Sequence, residues 1–346
     1  MVRIEEDIKL DFSDVLIKPK RSNVNSRSLV NLERTIKFKH SKQIWTGIPI
    51  IISNMDTTGT FEMFYECCKY KIITCIHKHY SIEEWTNFSY DSKIEWDYIC
   101  LSTGISDDDI KKTIKIIGIC SQIKIICIDV ANGYLENFVI KVKNLRILFP
   151  HHTLIVGNVV CSTMTQELIL AGADVVKCGI GPGSVCTTRK ITGIGMPQLS
   201  CIFECSNVAH ELEGFIVSDG GCTTPGCIAK AFAGDSDFVM LGGMIAGHEQ
   251  SGGKLIDENG EKFKIFYGMS SKEAQDKHSG GLKNYRASEG KCVKIPYRGD
   301  INNTIKEILG GIRSTCTYIG AKKIEEMSGK TTFIKVNRTV NNIFGN

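Results

Sequence analysis

The sequence predicts an α/β fold: a (β/α)8 TIM barrel with a mobile flap inserted after the eighth strand. Three observations carry that expectation. Eight short β-branched, apolar runs recur along the 346 residues, most are separated by segments of helical spacing, and the interval is about 20 to 30 residues except in two places. The runs are 48–52, 72–76, 98–101, 123–130, 153–156, 174–178, 215–218 and 238–241. Phe61, Phe64 and Cys68 follow the first run at helical spacing, as Leu168, Ile169 and Ala173 follow the fifth. Near-continuous apolar strands are buried on both faces, which means a parallel sheet covered by helices. A doubly wound open sheet is the structural alternative.

The two long intervals are where chemistry is expected, because barrel enzymes place it in the loops after strand C-termini. The first is a loop over about residues 179–213, after the sixth run. The second, about 249–299, precedes a last helix expected over 301–327 and carries Gly252, Gly253, Gly260, Gly268, Gly280, Gly281 and Gly290, the composition of a flap. No linker or tandem repeat separates a second domain, so residues 1–346 read as one barrel domain. The Asn-rich tail over 331–346 is expected to pack loosely or on a neighbouring subunit.

Composition narrows the function classes. Hydrophobic residues make up 42% and charged residues 23%, with 33 Gly and 7 Pro, which excludes disordered and collagenous chains. The apolar runs fall far short of the roughly 20 residues that cross a bilayer, so no membrane partner is expected. Residues 1–10 lack the apolar core of an export signal, and the fifteen Cys are scattered, several of them (Cys75, Cys100, Cys127, Cys178) inside apolar runs. A reducing, cytosolic setting is the expectation. A net charge of +4 without a basic stripe argues against nucleic acid and leaves room for a compact anion.

The most informative segment is Gly181-Pro182-Gly183-Ser184-Val185-Cys186-Thr187-Thr188-Arg189. Glycines flank a cysteine in a loop that follows a strand, where backbone amides and carbonyls can turn inward. Cys186 is therefore a candidate nucleophile, with Arg189 near in sequence to favour thiolate; standing alone, the segment would more often be a turn with an incidental cysteine. Thr188 can relay a proton once a carboxylate supports it. Ser218-Asp219-Gly220-Gly221 and Leu241-Gly242-Gly243-Met244 put paired glycines at the ends of the seventh and eighth runs. That is the barrel phosphate-site pattern, with Asp219 placed to accept from a ribose hydroxyl. Asp129 and Asn158 end the fourth and follow the fifth run, pointing into the site or capping helices. His77-Lys78-His79 lacks a third metal ligand, so zinc is not expected, and Lys78 reads as a cation for a phosphate or cofactor edge. No G-x-G-x-x-G opens a helix, so a dinucleotide would not sit in a Rossmann pocket.

Together, segments 181–189, 192–199 (TGIGMPQL), 218–221 and 241–243 resemble the IMP dehydrogenase and GMP reductase superfamily, whose members are (β/α)8 barrels. Segments 10–16, 54–56, 76–80, 129–134, 266–271 (FYGMSS), 285–291 (YRASEGK) and 308–318 resemble its GMP reductase branch over nearly the whole chain. His79 leads directly to Trp85, leaving no space for the regulatory insertion of IMP dehydrogenases, and the flap holds Tyr285-Arg286 and Tyr297-Arg298 rather than their Arg-Tyr pair. Thr223-Thr224 and the 91–117 stretch depart from the pattern at the periphery.

The resemblance implies NADPH-dependent conversion of GMP to IMP with release of ammonia, through a covalent adduct on Cys186 and with Thr188 and Glu289 as proton donors. It implies that Asp219, Gly220, Gly221, Gly242, Gly243, Gly268, Met269, Ser270, Arg286, Ala287, Ser288 and Gly290 hold the nucleotide. NADPH would meet Lys78, Asp129, Val130, Ala131, Ile180, Gly181, Met269, Tyr285 and Arg286, with Ser314, Thr315, Cys316 and Thr317 near its far end and Ser26 and Arg27 from a neighbouring subunit of a homotetramer. Gly181, Gly183, Cys186 and Arg189 would form a potassium-binding loop. An IMP dehydrogenase without its regulatory domain and a non-catalytic nucleotide-binding barrel are the alternative readings.

Overall fold

The computed structural model describes residues 3–278, 280, 281, 284, 285 and 287–337. The eight apolar runs form eight parallel strands: β1 Ile50–Ile52, β2 Ile73–Ile76, β3 Ile99–Thr103, β4 Ile125–Asp129, β5 Thr153–Val159, β6 Val175–Cys178, β7 Phe215–Asp219 and β8 Phe238–Leu241. Each pairs with the next, and β8 returns to β1 through Met240 opposite Ile51, closing the barrel. The helices α1 Phe61–Cys67, α2 Ile82–Ser89, α3 Asp107–Ile119, α4 Glu136–Leu148, α5 Ser162–Leu170, α6 Gln198–Glu211, α7 Pro225–Ala233 and α8 Ile301–Ile319 follow the strands in turn. Local chemistry fixes where several begin: the side chains of Thr60, Ser81, Ser106, Thr224 and Asp300 accept backbone N–H bonds at the starts of α1, α2, α3, α7 and α8.

The period of two along each strand divides the core. Ile51, Ile73, Cys75, Cys100, Ile125, Cys127, Ile155, Val175, Val217, Phe238 and Met240 pack together inside the barrel. Alternate residues such as Ile50, Ile126, Val176, Cys178 and Val239 pack with the helix faces. Ile36, Phe38 and Trp45, from a hairpin pairing Arg34–Lys37 with Ile44–Gly47, join the inner cluster and plug the end of the barrel away from the strand C-termini. All fifteen cysteines are free.

Several expectations change. The last helix stops at Ile319 rather than 327, because Gly320 adopts a left-handed φ of +76° and a short 3-10 turn, Ile324–Glu326, follows. The first long interval ends early, since α6 already starts at Gln198. The second is built rather than loose: Leu255–Glu258, Glu261–Tyr267 and Cys292–Pro296 make an antiparallel sheet, and Lys272–His278 is helical. Its first turn is Asn259-Gly260, both at positive φ, the dipeptide that two-residue hairpins favour. In the tail, Phe333–Lys335 is no loose end, pairing with Val15–Ile17; residues 338–346 lie outside the described residues.

Candidate active site

A cavity of about 440 Å³ opens at the C-terminal ends of the strands. Cys186 lies in the loop after β6, just ahead of the short helix Thr188–Thr192. Its thiol donates to the Thr188 hydroxyl at 3.3 Å, and that hydroxyl donates to Glu289 Oε2 at 2.8 Å. Two elements 101 residues apart thus form one hydrogen-bonded chain running from sulfur to carboxylate. Backbone bonds clamp the flap to this loop: Thr187 N–H donates to Glu289 C=O (2.9 Å), Lys291 N–H to Val185 C=O (2.9 Å), and Cys186 pairs with Gly290 across an antiparallel bridge. The carboxylate that the threonine requires is therefore placed by main-chain pairing, which sequence spacing cannot reveal.

Across the cavity, β7 ends on Asp219 and continues through Gly220 and Gly221, while β8 ends on Leu241 and continues through Gly242 and Gly243. Gly220 needs its glycine because φ is +95°. A Cβ on Gly243 would stand 2.4 Å from Ser184 Oγ, so that hydroxyl would have to turn aside. Neither Asp129 nor Asn158 caps a helix by its side chain. Asp129 accepts from Asn54 Nδ2 at 3.0 Å, and Asn158 Nδ2 donates to Asp219 at 2.8 Å and to Gly179 C=O at 2.8 Å.

Sequence reasoning missed Lys177, whose Nζ lies 2.7 Å from Asp129 Oδ1 and 3.1 Å from Asp219 Oδ2. It is 2% exposed and occupies the inward phase of β6, two residues after Val175. Burial opposes its charge, but the two carboxylates outweigh burial and hold its pKa well above the usual lysine value. Burial likewise pushes Asp129 up, and the charge and hydrogen bond of Lys177 more than reverse it, so Asp129 stays below the ordinary carboxylate range. A lysine at an inward position of an otherwise apolar strand was the signal available in the sequence.

Lys78, Asp129, Val130, Ala131, Ile180, Gly181 and Gly183 line the same cavity, as do Gly268, Met269 and Ser270 of the flap. Lys78 also pairs with Asp109 at 3.3 Å. Ser288 C=O accepts from Thr187 Oγ1 at 3.4 Å, while Ala287 stays exposed and Tyr285 is 85% exposed. Arg286 lies outside the described residues. The Arg189 side chain does not face the cavity: its guanidinium pairs with Asp11 at 2.9 Å and donates to Met196 C=O, bracing the loop from behind.

Ser26, Arg27, Ser314, Thr315, Cys316 and Thr317 are not brought to this cavity. The turn Arg27–Leu29 packs on α8, the helix that carries 314–317. Within this group, the Cys316 thiol is buried in the core.

A barrel whose strand ends present a cysteine, a threonine–glutamate chain and two glycine-paired loops is the architecture of an enzyme acting on a phosphorylated small molecule. A family model described as IMP dehydrogenase / GMP reductase domain matches residues 9–342, and the chain belongs to that family. GMP reductase 2 of Mus musculus is 56% identical over 346 residues, covering 100% of this chain and 99% of that protein. GMP reductase of Escherichia coli O81 (strain ED1a) is 57% identical, covering 100% of both. Among solved structures, a GMP reductase variant from Trypanosoma brucei in complex with guanosine 5'-monophosphate superposes with a TM-score of 0.85 at 23% identity, covering 96% of each chain, a likeness of fold.

Proposed function

We infer that the chain is an enzyme catalysing the NADPH-dependent reductive deamination of GMP to IMP with release of ammonia, a step of purine nucleotide interconversion. The observation that carries the residue assignment is the chain Cys186–Thr188–Glu289, in which a thiol, a hydroxyl and a carboxylate are joined donor to acceptor. Cys186 gives its proton through Thr188 to Glu289 and attacks C2 of the guanine as thiolate, forming a covalent adduct. Glu289 returns a proton through Thr188 to the departing amine, which leaves as ammonia. NADPH, when bound, supplies the hydride that reaches C2 and releases the thiolate.

The remaining site residues hold the nucleotide in register. Gly220, Gly221, Gly242 and Gly243 meet the phosphate through backbone N–H groups, and Asp219 accepts from the ribose. Gly268, Met269, Ser270, Ala287, Ser288 and Gly290, with Arg286, close the flap over the base. The wall beside this pocket fits a nicotinamide: Val130, Ala131 and Ile180 give it an apolar side, and Lys78 and Asp129 give it polar edges. Lys78, Asp129, Val130, Ala131, Ile180, Gly181, Met269, Tyr285 and Arg286 would hold that half of the cofactor. The place of Ser26, Arg27 and 314–317 away from the chain's own cavity supports a cofactor spanning two subunits of a homotetramer. The 181–189 loop suits potassium by its donor set, since Gly183 C=O spends one lone pair on Cys186 N–H at 3.1 Å and keeps the other. Gly181, Gly183, Cys186 and Arg189 would hold the ion by main-chain carbonyls. Fifteen free thiols support a reducing, cytosolic setting.

The test is absorbance at 340 nm with GMP, NADPH and potassium for the wild type and Cys186→Ala. Oxidation of NADPH by the wild type alone, with IMP and ammonia formed, is the expected outcome. Turnover by Cys186→Ala would rule out the covalent route.

A further inference from the structure

The flap returns three times to one residue outside the reactive set. Asp56 lies in the loop between β1 and α1, with its side chain 2% exposed. Tyr267, at the end of a flap strand, donates its hydroxyl to Asp56 Oδ2 at 2.6 Å. From the flap helix, Lys277 Nζ donates to the same oxygen at 2.9 Å and His278 Nε2 at 2.7 Å. The flap's first residues press on the same spot, since a Cβ on Gly252 would stand 2.1 Å from Asp56 C=O. His278 is further held by His79 of the barrel, whose ring stacks on it at 3.5 Å.

The segment between these anchors is the one that covers the site. Met269 and Ser270 lie between Tyr267 and Lys277, and Ser270 C=O accepts from Glu289 N–H at 3.2 Å. The chain from Asp56 to the reacting sulfur is therefore continuous: carboxylate, Tyr267 and the flap helix, Ser270, Glu289, Thr188, Cys186. Three donors on Asp56 Oδ2 hold the flap in this seat, because without them both oxygens of a buried carboxylate would lack partners, Oδ1 having none among the described residues.

We propose that Asp56 is a positioning residue for the deamination step: it fixes the flap segment 267–278 on the barrel and thereby holds Glu289 against Thr188. This rests on the reaction assigned above. Its removal acts on proton transfer more than on nucleotide affinity, because the phosphate and ribose contacts at Asp219, Gly242 and Gly243 belong to the barrel, and only the base contacts at Gly268, Met269 and Ser270 lie on the released segment.

The experiment compares the full-length wild type with Asp56→Asn, which keeps shape and loses the charge, and with Tyr267→Phe/Lys277→Met, which leaves the barrel intact should Asp56→Asn fail to fold. Amide exchange across 267–278, GMP affinity by calorimetry and kcat with NADPH are measured on each. The expected result is exchange at least about tenfold faster in that segment and kcat lower by about tenfold or more, with GMP affinity within about threefold of wild type. Unchanged exchange, faster exchange with unchanged kcat, or equal loss of kcat and affinity would each overturn the proposal. If the wild type itself fails to oxidise NADPH with GMP while the variants still release the segment, the anchor stands and the assigned reaction falls.

Discussion

Lys177→Met replaces an ammonium by a methyl thioether on a stem of similar length. Asp129 and Asp219 would then face one another with Asn54 and Asn158 as their side-chain donors among the described residues. Breaking a buried ion pair costs about 3–5 kcal/mol. Here the carboxylate side chains are 36% and 23% exposed, so water takes part and the cost falls to about 2–3 kcal/mol. With an unfolding entropy of about 2.1 cal/mol/K per residue over 346 residues, that lowers Tm by about 3–4 °C. The effect on activity has a definite sign. Burial raises Asp129 and the Lys177 charge reverses this, so removing the charge leaves burial and a neighbouring carboxylate both acting to protonate it. The acid limb of kcat/KM for NADPH, the ligand Asp129 is assigned to meet, should move to higher pH, and Lys177→Arg, which keeps the charge, should restore it. Thermal melting and a pH-rate series with NADPH make the measurement. A Tm within 1 °C of wild type together with a superimposable pH profile would refute the argument.

Two further outcomes follow from the geometry. Glu289→Gln keeps a hydrogen bond to Thr188 but removes the group that accepts and returns the proton, so kcat should fall about 100-fold, near 2.7 kcal/mol, while GMP affinity by calorimetry changes by less than about threefold; equal loss in both would contradict the relay. Far from the site, the imidazole of His210 donates to the carboxylates of Asp235 (3.3 Å) and Asp237 (2.9 Å), which raises its pKa to about 10. A raised folded pKa means the stabilisation is complete below the unfolded value of about 6.5 and fades as pH rises toward 10. Since the imidazole is about one-third exposed, it amounts to roughly 1–2 kcal/mol after screening, and His210→Asn should lower Tm clearly at pH 6 and scarcely at pH 10.

The barrel was legible because its signal is local and repeated. Each of the eight strands falls within or against an apolar run, since a strand buried on both faces must be apolar along its length. The phosphate-type turns were legible for a related reason: glycine at Gly220 and Gly243 answers a backbone angle and a close approach. The flap sheet was obscured because its strands are half-exposed and mix charged with apolar residues, and its local sign, Asn259-Gly260, sits among other glycines. The end of α8 was misread for the same lack of a contrasting neighbour, since Gly320 interrupts a pattern that resumes briefly at Ile324.

What the sequence by itself determined is therefore the alternation of strand and helix, the reactive loop around Cys186 and the glycine-paired strand ends, all properties of residues close in the chain. Only the tertiary structure decided which distant groups meet them. The Glu289 carboxylate reaches Thr188 because the flap strand pairs with the Cys186 loop. Lys177 bridges Asp129 and Asp219 because barrel closure turns β4, β6 and β7 toward one axis. Asp56 gathers Tyr267, Lys277 and His278 across more than 200 residues. Periodicity encodes which face of an element is buried; it carries no record of what is buried opposite, and that pairing is settled only when the chain closes on itself.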